Sequence, residues 1–210
     1  MNRIKSILFN TDMVQATLDE RKMVTRRICK DTGERCVPDM SFYNADKRTF
    51  AVHNYADIFH TDQISLAERA CPICPGDILY IRETWCVNPN YKEFYYRADR
   101  RIGTPAPYGL KWKPSIHMPK KAARIWLKVT DVRVERLQNM TLDDFLKEGI
   151  TVRPEAFNDP ETAYMQARRM FKQLWDSTIR KDQIYVYGWD ANPWVWVVEF
   201  ERCEKPESER

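Results

Sequence analysis

Residues 193–203 read PWVWVVEFERC. Trp194, Trp196, Val198 and Phe200 alternate with Val195, Val197, Glu199 and Glu201, the period of two that marks a β-strand. A strand this apolar is expected at the centre of a sheet rather than at its edge. Working outward, RIWLKVTDVRVERL (124–137) gives a second strand, with Ile125, Leu127 and Val129 on one face and a bulge expected near Asp131. Pro75-Gly76-Asp77 is a turn signal that launches ILYIRETWCV (78–87), where Leu79, Ile81 and Trp85 alternate with Tyr80, Arg82 and Thr84. KEFYYRA (92–98) supplies a hairpin partner, and Ile4–Phe9 an opening strand. Three helices are expected. One follows Thr11 as N-cap and fails near Lys22, because Val24, Thr25 and Ile28 favour extended backbone. A short one, TLDDFLKEG, has Thr141 and Asp144 as a capping-box pair and Gly149 as its stop. A long one runs from Pro160 to Thr178, burying Ala163, Ala167, Met170, Phe171, Leu174 and Trp175.

Six or seven strands and three helices with few βαβ alternations point to an α+β chain, a small and mostly antiparallel β-barrel with helices packed on it. The expected organisation is one domain over 1–205 with a charged tail at 206–210. A loop-rich insertion is expected at about 29–75, and a proline-punctuated basic one at about 99–123. Composition agrees with a globular domain: 210 residues, 43% hydrophobic and 12% aromatic. A net charge of only +4 excludes a bulk polycation and leaves room for a local basic face. The start, MNRIKSILFN, has an apolar run too short for a signal-peptide core or a membrane span, so a cytoplasmic chain with no membrane partner is expected. In a reducing compartment the six cysteines are thiols or metal ligands rather than disulfides. Cys71 and Cys74 have zinc half-site spacing, and Cys29 with Cys36 completes four thiolates, although that second gap is not a standard one. A structural zinc and plain buried thiols both remain open, and no cofactor is otherwise required.

The chemistry-bearing stretch is LDERKMVTRR (18–27). On charge alone, a helix end decorated with cations accounts for it, since the dipole favours them there. Extended backbone from Val24 changes the geometry: Thr25 and Arg27 then share one side, Val24, Arg26 and Ile28 the other, and Lys22 precedes them. A lysine, a hydroxyl and a guanidinium fit an anion or nucleotide site, or a hydroxyl activated by a lysine base. Glu148 closes its helix facing the negative end of the dipole, an environment that suits a proton carrier, with a surface Glu screened by Lys147 as the alternative. KWKPSIHMPKK (111–121) interleaves lysines with Trp112 and His117 on a loop held by prolines. Such a loop can grip phosphate and stack on a base, or be a solvated loop with a packed Trp.

Together these stretches resemble the ASCH family, a branch of the PUA-like β-barrel folds, and in particular its longer phage- and prophage-type members. The resemblance runs through LFNTDMVQATLDERKMVTRR (8–27), PGDILYIRETW (75–85), KWKPSIHMPKKAARIWLKV (111–129), EGI (148–150) and WDANPWVWVVEF (189–200). It implies a nucleic-acid-related role. Small ASCH enzymes hydrolyse acetylcytidine with a lysine, a threonine and a glutamate, and their Lys-x-x-Thr-x-Arg pattern falls on Lys22, Thr25 and Arg27, their glutamate on Glu148. The resemblance thus implies Thr25 as nucleophile, Lys22 as its activator, Glu148 as proton carrier and Arg27 as substrate or charge holder. Arg82, Trp85, Trp112, Lys113 and His117 are the expected substrate or nucleic-acid contacts. The implied partner is RNA, another single strand or a modified nucleoside. A binding module without catalysis, or a single-strand ribonuclease using Lys22 and His117, uses the same residues. One departure stands out: Glu20 occupies the place of the usual glycine before the Arg-Lys pair.

Overall fold

The computed structural model describes residues 3–29, 36–44, 49–54, 67–70, 72–101 and 103–207, with the backbone alone described in 36–44, 49–54 and 67–70. In chain order its strands are β1 (Ile4–Leu8), β2 (Val24–Ile28), β3 (Cys36–Asn44), β4 (Thr49–Asn54), β5 (Ala67–Ala70), β6 (Ile78–Arg82), β7 (Trp85–Asn88), β8 (Glu93–Tyr96), β9 (Trp126–Arg136) and β10 (Trp194–Cys203). Its α-helices are α1 (Thr11–Leu18), α2 (Leu142–Lys147), α3 (Pro160–Thr178) and α4 (Ile184–Tyr187). The class is mixed α+β, as the element pattern implies.

Five strands form one sheet in the order β1-β6-β9-β10-β2. β1 runs parallel to β6, while β6 with β9 and β10 with β2 are antiparallel. β10 therefore has a neighbour on each side, and Val195, Val197 and Val198 are fully buried, as its apolar sequence demands. Among the described residues no pairing joins β1 to β2, so the sheet is open where a closed barrel was expected. Part of the reason lies in ILYIRETWCV, which is two strands. Its alternation breaks at Glu83, whose buried carboxylate takes Nε and Nη2 of Arg124 at 2.9 and 3.0 Å. β7 then pairs with β8 as a separate ribbon, which removes two strands from those counted towards the barrel.

The chain divides into two compact units. The first comprises residues 1–23, 75–130 and 200–210. Its helix α1 is capped by Asn10, whose side chain accepts from the Met13 N–H at 2.8 Å, so the cap lies one residue before the expected Thr11. An aromatic cluster of Trp85, Trp126, Tyr80, Phe94 and Tyr96 closes over Met118, Ala122 and Ala123. The expected basic loop carries short 3-10 turns at Pro107–Gly109, Ser115–His117 and Lys120–Ala122. It is held by paired main-chain bonds between Trp85 and Lys113, at 2.7 and 3.2 Å.

The second unit comprises residues 24–74 and 131–199. Asp159 caps α3 by accepting from the N–H groups of Glu161 and Thr162, and Pro160 takes its first position. Ala163, Ala167, Phe171 and Trp175, each four residues on from the last, make the buried stripe, and the expected Met170 and Leu174 flank it half-buried. Phe145 of α2 packs against the rings of Phe171, Tyr164 and Trp189 at 5.5, 5.8 and 6.3 Å. Each such ring pair contributes about 0.5–1.5 kcal/mol beyond its area. Segment 29–75 is not simply loop-rich: β3, β4 and β5 form a three-stranded antiparallel sheet. Pro38 conceals it in the sequence, since proline argues against a central strand, and it sits on the edge strand β3 where a missing donor is tolerated. Among the described residues, no helix is long and apolar enough to cross a membrane.

Candidate functional site

β2 follows the alternation its sequence predicts. Val24 belongs to the second unit's core and Ile28 packs on it, while Thr25 faces the other way and is 2% exposed. β10 fixes the register, pairing Val198 with Thr25, Val197 with Arg26 and Trp196 with Arg27. Arg26 therefore points with the core residues, where an unpaired guanidinium would be costly. It is paired instead. Its side chain is 1% exposed, with Nη1 donating to Glu148 Oε1 at 3.2 Å and Nη2 to Asp144 Oδ1 at 2.9 Å. Glu135 lies 3.7 Å from the same Nη2, and Arg133 extends the network by binding Glu135 and Glu199.

Glu148 is 4% exposed and stands at the C-cap of α2, ahead of Gly149, whose φ of 92° stops the helix. The expected capping box is present, with Asp144 Oδ2 accepting from the Thr141 N–H and Oγ1 at 2.9 and 2.7 Å. Burial alone would raise the Asp144 carboxyl. Hydrogen bonds from Thr141 and Arg26 outweigh it and hold the group below its ordinary range. Burial lowers the pKa of Arg27, and the nearby negative charge of Glu148 only partly restores it. The second unit thus joins Arg26 to Glu148 and Asp144 and sets Arg27 under the influence of the Glu148 charge, while Thr25 lies buried on the other side of β2.

Lys22 belongs to the first unit. The turn after α1 bonds the N–H groups of Arg21 and Lys22 to the Ala16 carbonyl at 2.9 Å, and passes through Glu20 with φ 59°. The Lys22 ammonium stands 5.4 Å from the centre of the Phe9 ring, and the residue is 2% exposed. The remaining expected contacts gather in the same unit. Arg82 donates to the Ile116 carbonyl, so the loop lies on the end of β6. Trp85 is buried with the Lys113 ammonium 5.1 Å above its ring, Arg97 lies 5.9 Å over Trp112, and His117 is exposed on its 3-10 turn. Lys120 over Tyr80 at 5.6 Å and Arg124 over Tyr96 at 4.0 Å extend the pattern. Among the described residues, the buried Nε1 atoms of Trp85, Trp112 and Trp126 meet no acceptor.

Of the four cysteines expected at zinc, Cys29 and Cys74 are buried. Cys71 and the side chain of Cys36 lie outside the described residues, and among the described residues no three potential ligands converge on a metal position. Two buried ion-paired side chains were not read from the sequence. The first is Arg26 with its carboxylate partners, signalled by an arginine on the apolar side of a strand together with carboxylates at Asp144 and Glu148, one helical turn apart. The second is Glu83, buried inside RETW and held by Arg124. Burial pushes this carboxyl up, and the guanidinium opposes the push.

No protein-family model matches the chain, and neither does a curated protein or a solved structure.

Proposed function

We propose that the chain is a PUA-like, ASCH-type protein that binds nucleic acid or its nucleosides and hydrolyses an amide on a modified pyrimidine nucleoside such as acetylcytidine. The observation that carries this reading is the burial of Lys22, Thr25 and Glu148, three reactive side chains at 4% exposure or less. Buried titratable and nucleophilic side chains are candidates for chemistry. In the proposed reaction Thr25 Oγ1 attacks the acetyl carbonyl as a base takes its proton, the part that the resemblance gives to the Lys22 amine. Glu148 supplies a proton to the departing N4 amine, and Arg27 holds the charge that develops on the carbonyl oxygen. Water then attacks the acyl-threonine and releases acetate. Incubation with acetylcytidine is expected to release cytidine, and Thr25→Ala to reduce the rate by at least about 1,000-fold. Turnover that survives Thr25→Ala sinks the nucleophile, and complete inertness of the wild type sinks the reaction.

A second reading, a binding module without catalysis, is favoured by a different observation. Lys113, Lys120 and Arg124 stand over Trp85, Tyr80 and Tyr96, three rings of one aromatic cluster. Cations beside aromatic faces are what a single strand meets on a protein that grips phosphate and stacks bases. Tight oligonucleotide binding with no turnover of any acylated nucleoside selects this reading.

A further inference from the structure

α2 has six residues, too few to hold its place by its own hydrogen bonds. Its orientation must come from what grips it. Asp144 divides its carboxylate, with Oδ2 accepting from Thr141 to close the capping box and Oδ1 accepting from Arg26 Nη2 at 2.9 Å. One turn later, at the other end of the helix, Glu148 Oε1 accepts from Nη1 of the same guanidinium at 3.2 Å. A single planar fork therefore spans both ends of α2 and ties them to β2. A guanidinium can do this because its donors are fixed in a plane, whereas a lysine is a point charge on a flexible stem with no rigid fork to hold two separated carboxylates in place.

We propose that Arg26 is a positioning residue for Glu148, which it fixes by clamping α2 through Asp144 and Glu148 together. The inference rests on the reading of Glu148 as the proton carrier. With Oε1 engaged by Arg26, proton transfer falls to Oε2. Arg26 does not itself touch substrate, so its effect must pass through Glu148 and must vanish when Glu148 can no longer carry a proton.

The kinetic test compares Arg26→Lys in the wild-type and Glu148→Gln backgrounds with acetylcytidine. R26K is expected to lower kcat about 100-fold at an unchanged KM, the size of effect that misplacing a reacting group produces. In the E148Q background the same change is expected to lower kcat by no more than about two-fold. Equal losses in both backgrounds, or a raised KM at unchanged kcat, overturn the proposal. A second readout needs no substrate. Amide exchange at Phe145, Glu148, Gly149 and Ile150 is expected to quicken about ten-fold in R26K while α3 is unchanged. If R26K does not fold, E148Q alone weakens one arm of the clamp and is expected to quicken the same amides. Unchanged exchange at α2 in whichever variant folds overturns the clamp. Wild-type protein inert towards acylated nucleosides overturns the reaction alone, because the exchange result still decides the clamp.

Discussion

Glu20 holds a left-handed backbone position, φ 59°, in the turn between α1 and β2. A side chain there meets its own carbonyl, at a cost of about 1–2 kcal/mol for an ordinary L-residue, which glycine escapes. Glu20→Gly is therefore expected to stabilise the chain, by about 0.5–1 kcal/mol once the greater freedom of an unfolded glycine is subtracted. Calorimetry should show Tm rising by about 2 °C; a fall would mean that the Glu20 side chain makes a contact worth more than the strain. The neighbouring arginines show what a single residue reveals in advance. Alternation alone places Arg26 and Arg27 on opposite sides of β2, and the structure agrees. Alternation is silent on the partners. Which carboxylates meet Arg26 depends on residues 118 and 122 positions away, and no local rule reaches that far.

At the scale of the element, α2 depends on a carboxylate doing two jobs. Asp144 is held below its ordinary range, because the Thr141 and Arg26 hydrogen bonds outweigh the burial that would raise it. A carboxyl depressed in the folded state adds stability that is present above its unfolded pKa and is lost as pH falls through the folded value. Wild-type stability is therefore expected to decline below about pH 4, the ordinary aspartate range. Asp144→Asn keeps a cap oxygen but cannot titrate, so its stability should be lower near neutral pH and should flatten relative to wild type in acid. Urea midpoints measured across that range check the difference. A D144N curve parallel to wild type would show that the carboxyl contributes nothing to acid sensitivity. The helices were the most legible elements, because their signals are local: Asp159 with Pro160 starts α3, Thr141 with Asp144 starts α2, and Gly149 ends it. β3 to β5 were not legible, because Pro38 broke the pattern and their pairing is made between separated segments.

For the whole molecule, the order of strands was the least legible property. The parallel pairing of β1 with β6 joins segments more than seventy residues apart, and nothing in either strand's own alternation names its neighbour. Charge, by contrast, can be read directly. Residues 100–130 contain eight Lys and Arg and no Asp or Glu, although the whole chain is only +4, so the remainder is net acidic. All of that basic segment lies in the first unit, where its exposed members include Lys111, Lys113 and Lys121. A segregated charge of this kind attracts a polyanion locally even when the net charge is small. If a single strand binds here, its affinity must fall with salt as counterions are released, with a slope of about −0.7 for each phosphate neutralised. The double substitution Lys111→Glu and Lys121→Glu should weaken binding of a short RNA and flatten the slope of log affinity against log salt by about 1.4. Arg180→Glu with Lys181→Glu makes the same change of net charge on exposed residues of the second unit, and should leave both quantities near wild type. Equal losses from the two pairs would assign the attraction to net charge rather than to this face. Binding that does not respond to salt would remove phosphate contacts from the account altogether.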